Sequence, residues 1–167
     1  MMRAYSLNYQ CTASRLATAG VLARHGTAAR PRLADVEALV IVKYSHDARL
    51  IREALDLAGI EHGLTVTTDG LEALSFVRRT GDLSWLPRPD FIVLDLDLDK
   101  VSGRVVLDAI KMDAELSSLP VILLRGSPAE WNLSQGDDVK TCRFVSKPVD
   151  LDVLAAEFRR VKSLIRA

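Results

Sequence analysis

From residue 36 onward, short apolar runs of strand length alternate five times with segments of helical period. The strand-like runs are residues 38–42, 64–67, 91–95, 121–124 and 143–146. Between and after them the apolar spacing is helical. Leu50, Ile51, Ala54, Leu55 and Ala58 share one face, and Gly59 follows as a stop. Asp47 is the expected cap of that helix. Asp69-Gly70-Leu71-Glu72 reads as a capping box, opening a helix through Leu74 and Val77. Val106, Leu107 and Ile110 mark a third helix over residues 103–112, and Ser127-Pro128 opens a weaker fourth that Gly136 and Asp137 end. Asp150 caps a last helix striped by Leu154, Phe158, Val161 and Ile165. Strands separated by helices pair in parallel through right-handed crossovers. The expected fold is therefore α/β, a (βα)5 doubly wound sheet of five parallel strands.

In such sheets the functional crevice lies beyond the carboxyl ends of the strands. The third apolar run, Phe91-Ile92-Val93-Leu94, delivers Asp95 there, and the fifth delivers Lys147 through Phe144-Val145-Ser146. An aspartate and a lysine at the ends of parallel strands are parts of a phosphoryl-accepting site. There is no Gly-rich phosphate loop and no zinc spacing. Cys11 and Cys142 form no paired motif, which suits a reduced cytoplasmic protein. No apolar run reaches membrane-spanning length.

Charge divides the chain. Residues 1–34 hold five arginines and no acid, whereas residues 35–167 hold 17 basic and 22 acidic residues, a formal charge of −5. An acidic body is a poor binder of nucleic-acid backbones. The apolar stretch at residues 16–23 is short and closed by Arg24, so residues 1–34 read as a disordered extension or an upstream start rather than an export signal. Residues 28–32 are the expected linker, and residues 36–167 the folded domain.

The segments Asp47-Ala48-Arg49-Leu50-Ile51-Arg52-Glu53-Ala54-Leu55, Leu94-Asp95-Leu96-Asp97-Leu98, Gly103-Arg104 and Lys147-Pro148-Val149-Asp150-Leu151-Asp152 together resemble the receiver domain of bacterial response regulators. The likeness is to the stand-alone regulators that partner phytochrome-type kinases. It implies a flavodoxin-like strand order of 2-1-3-4-5. It also implies Asp95 as phosphoacceptor, Lys147 as partner of the phosphoryl group and a cis Lys147-Pro148 peptide. Arg125 and Phe144 fall at the switch positions. If Mg²⁺ binds at all, its ligands from this set are Asp95 and the backbone carbonyl of Asp97.

The sequence departs from that family where the metal is held. The acidic pair at the end of the first strand reads Val42-Lys43, and a one-residue slip to Ile41 or Tyr44 supplies no better ligand. Val42 offers no oxygen. Lys43 brings a positive charge that repels Mg²⁺ and can pair with Asp95. Arg125 replaces the switch hydroxyl, and its length allows it to reach Asp95. A degenerate receiver is the favoured expectation, with Lys43, Arg125 and Lys147 neutralising Asp95 without metal and the protein acting through contacts rather than catalysis.

The runner-up is a working phosphoacceptor whose Mg²⁺ rests on Asp95, Asp97 and waters. A third reading takes Asp95-Leu96-Asp97 as the motif of a haloacid-dehalogenase-type phosphatase. It is disfavoured because the motif lies on the third strand and Asp137-Asp138 precedes Lys147. Asp97 and Asp99 read as solvated loop acids. His46 and His62 read as loop residues, and His25 lies in the extension. Trp131 is divided evenly between core and interface. With no output domain after Arg166, the expected partners are proteins: a sensor histidine kinase, another regulator, or a second copy through the 127–166 face.

Overall fold

The computed structural model describes residues 8–11, 34–80, 88–126 and 141–165. Its strands are β1 (Asn8–Cys11), β2 (Val36–Ile41), β3 (His62–Thr67), β4 (Phe91–Asp95), β5 (Val121–Arg125) and β6 (Cys142–Ser146). The helices are α1 (Ser45–Leu57), α2 (Gly70–Val77), α3 (Gly103–Met112) and α4 (Leu151–Ile165). Strands β2 to β6 are parallel, in the spatial order β3-β2-β4-β5-β6. Numbered among themselves, these five run 2-1-3-4-5, as expected.

The sheet is a sixth strand wider than expected. β1 pairs antiparallel with β3, Asn8 opposite Val66 and Cys11 opposite Gly63. It comes from the segment read as a disordered extension. The linker at residues 28–32, the weak helix at 127–136, Trp131 and His25 fall outside the described residues, as does most of the loop before β4.

The central strands are largely apolar because helices cover both faces. On one face Val40, Val42, Ile51, Leu55, Val93, Leu154 and Val161 form a core under α1 and α4. Phe91 meets Phe158 there, ring centroids 5.5 Å apart. On the other face Leu39, Ile41, Phe76, Ile92, Leu94, Val106 and Ile110 form a second core under α2 and α3. This sandwich fixes the strand ends, and with them the side chains that emerge from those ends.

Some boundaries shift. α1 begins at Ser45, so Asp47 lies in its first turn and is not its cap. The cap is Tyr44, which makes no side-chain bond to the helix. Asp69 caps α2 as expected, accepting the Leu71 N–H at 2.8 Å. Glu72 instead takes the Thr67 hydroxyl, at 2.9 Å. His62 is no loop residue; it is fully buried in β3, its Nδ1 2.9 Å from the Ile60 carbonyl.

Candidate functional site: a neutralised aspartate pocket

β4 carries Asp95 to the rim of the sheet, where its side chain is fully buried. The chain then turns sharply into α3. Gly103 makes the turn possible: a Cβ there would stand 2.3 Å from the Asp95 carbonyl oxygen and 2.6 Å from Leu96 Cα. Only glycine admits that approach.

Among the described residues, three donors meet the Asp95 carboxylate. Lys147 Nζ donates to Oδ2. The Lys43 backbone N–H donates to Oδ2 at 3.4 Å, and the Asp97 N–H donates to Oδ1 at 3.0 Å. A buried carboxylate is tolerated only when it is paired and hydrogen-bonded in this way. Lys147 is set by β6 and the turn after it, where its own N–H donates to the Arg125 carbonyl at 2.8 Å and its peptide to Pro148 is cis.

The Lys43 side chain is not on Asp95. Its ammonium is 3.1 Å from Asp99 and 3.2 Å from Asp97, and only its backbone reaches Asp95. Those hydrogen bonds, to Asp99 and then Asp97, hold the Lys43 pKa above its ordinary value. Asp97 and Asp99, expected as solvated loop acids, are thus an ion-pair clamp between the β2–α1 and β4–α3 loops, although both stay largely exposed. Val42 faces the other way, wholly buried in the core under α1 and α4. Of the two expected pair positions, only Lys43 belongs to the site.

Arg125 was expected to reach Asp95; its guanidinium carbon stands 5.2 Å from the centroid of the Phe144 ring. The two switch positions therefore contact each other as a cation–π pair.

Asp47 is the site residue that the sequence did not reveal. It is buried, and its Oδ2 accepts from Lys147 Nζ at 3.2 Å. Its Oδ1 is 3.2 Å from His46 Nε2, so His46 belongs to the first turn of α1 and not to a loop. Burial works to lower the Lys147 pKa, but the bonds and charges of Asp95 and Asp47 outweigh it and the net shift is upward. A cavity of about 270 Å³ opens beside this group, lined by Tyr44, His46, Asp47, Leu50, Lys147, Pro148 and Val149. A larger one, about 460 Å³, lies at the opposite strand ends against Asp90, Pro120 and Arg143. It includes none of the expected site residues.

A divalent metal needs several hard oxygens converging on one point. Among the described residues no three His, Cys, Asp or Glu side chains are placed to share a metal. The acids around Asp95 instead surround two ammonium groups. The residues present do not fit the Mg²⁺ site that the fold implies.

No family model matches the chain. Curated proteins do. Response regulator Rcp1 of Synechocystis sp. is 39% identical over 125 residues, covering 75% of this chain and 85% of Rcp1. The polar-differentiation response regulator DivK of Brucella anthropi is 33% identical over 108 residues, covering 62% of this chain and 76% of DivK. Among solved structures, the phosphorylated cyanobacterial phytochrome response regulator RcpA superposes with a TM-score of 0.64 at 31% identity, covering 79% of this chain and 94% of RcpA. The Mn²⁺-bound form of Rcp1 gives 0.60 at 31% identity, covering 77% of this chain and 92% of Rcp1.

Proposed function

The chain belongs to the response regulator receiver family, and from that premise we propose that it is an atypical, single-domain receiver of a two-component system that works without a bound metal. Lys43 and Lys147 take the place of the divalent cation. It signals by binding other proteins, a sensor histidine kinase of the phytochrome-associated type being the first candidate. The observation that carries this reading is the position of Lys43. Its ammonium sits between Asp97 and Asp99 at the strand end where the family keeps acidic ligands. An ammonium held there by two carboxylates occupies the place beside Asp95 that Mg²⁺ would take, and repels the metal.

Asp95 and Asp97 remain the candidate ligands should a metal enter. A Mn²⁺ titration followed by paramagnetic broadening tests the point. The expected result is no selective broadening at residues 95–97 in the native protein, and its appearance in Lys43→Glu. Selective broadening in the native protein would overturn the metal-free reading. Among the described residues, no helix is long and apolar enough to cross a membrane.

A further inference from the structure

One ammonium, that of Lys147, serves two carboxylates. Its Nζ donates to Asp95 Oδ2 and also to Asp47 Oδ2, the latter at 3.2 Å. The Asp95 side chain is fully buried and that of Asp47 is 8% exposed. Two buried negative charges against one positive charge need further stabilisation. For Asp95 it comes from the Lys43 and Asp97 N–H groups. For Asp47 it comes from its place in the first turn of α1, at the positive end of the helix dipole, and from His46 Nε2 on the other oxygen. Tyr44 gives that helix end no side-chain cap, so Asp47 is the acid that meets it. Each carboxylate has its own support, and Lys147 bridges them.

We propose that Asp47 is a positioning residue for Lys147, a second anchor that keeps the ammonium and the β6–α4 loop in place whatever the charge on Asp95. This rests on reading the pocket as a fixed, metal-free module. With Asp95 alone as partner, loss of its charge would leave Lys147 one-fifth exposed and unpaired, and the loop would move with it. With Asp47 present, the ammonium retains a buried partner already within hydrogen-bonding distance. The loop is thereby uncoupled from the residue that would be modified in a relay receiver.

The test is a cycle of four full-length proteins, native, Asp95→Asn, Asp47→Asn and the double variant, compared by backbone amide spectra without metal or phosphoryl donor. Asp95→Asn alone is expected to shift the amides of residues 146–151 little. In the Asp47→Asn background the same change is expected to shift them at least about threefold more, as coupled neighbours do. Asp47→Glu, which keeps the carboxylate, restores the insensitive behaviour. Equal shifts in both backgrounds would overturn the proposal. Should Asp47→Asn not fold, the Lys147 ammonium signal in Asp95→Asn decides. A retained, slowly exchanging signal supports the second anchor, and its loss refutes it. Failure of the metal-free reading would show as Mn²⁺ binding or a phosphoryl adduct on the native protein. The cycle contains neither reagent, so the two failures are told apart.

Discussion

At the scale of single residues, the pocket is a matter of which cation meets which carboxylate. Lys147 holds the buried half. Lys147→Met leaves Asp95 and Asp47 buried without their shared counter-ion. It should cost about 2 kcal/mol in urea unfolding, below the full value for breaking a buried pair because Lys147 is one-fifth exposed. The upward shift of the Lys147 pKa gives this a pH signature. A group whose folded pKa exceeds its unfolded value, here 10.5, stabilises the fold fully below 10.5 and loses that contribution as pH rises through the folded value. Unfolding measured across that alkaline range should show the loss in the native protein and not in Lys147→Met. Asp95 and Lys147 were legible in the sequence because each ends an apolar run, and strand ends converge in a parallel sheet. The partner of the Lys43 ammonium was not legible. Sequence fixes which residue stands at a strand end, but the rotamer depends on acids in a loop more than fifty positions away. Asp47 was read as a helix cap for the same reason: the lysine that pairs with it is 100 residues on.

At the scale of elements, two junctions control the geometry. The β4–α3 turn depends on Gly103. Gly103→Ala forces a Cβ against the Asp95 carbonyl and should destabilise the protein by about 1–3 kcal/mol, with the amide resonances of Asp95 to Asp97 displaced. At the start of α2, Asp69 caps the helix and its carboxylate accepts from Lys100 at 2.8 Å. That bond holds the Asp69 pKa below 3.8, against the opposing effect of its partial burial. The stabilisation is present above pH 3.8 and is lost as pH falls through the folded value. Asp69→Ala should cost about 1 kcal/mol near neutral pH, and the difference from the native protein should shrink on acidification in thermal unfolding. The caps at Asp69 and Asp150 were legible because capping is local chemistry. The start of α1 was not, since Tyr44 is no cap former and nothing nearby marks the turn.

At the scale of the whole molecule, the alternation of strand and helix patterns was enough to give parallel pairing with right-handed crossovers, whereas the strand order came from the family resemblance. It could not give β1. Asn8-Tyr9-Gln10-Cys11 is no apolar run, and an edge strand is held chiefly by backbone hydrogen bonds, which leave little trace in side chains. Deleting residues 1–11 should leave the two cores intact and expose the β3 edge. Amide exchange at alternate β3 positions should then quicken while β4 and β5 stay protected. On the proposed reading this sheet is a receiver scaffold whose phosphoacceptor position is already paired with Lys147 and flanked by the Lys43 ammonium. That claim is tested most directly by intact-protein mass after incubation with acetyl phosphate and Mg²⁺, with Asp95→Asn alongside. The account predicts no phosphoryl adduct on a folded native protein. An adduct on the native protein that Asp95→Asn lacks would contradict it and make the chain a working relay receiver.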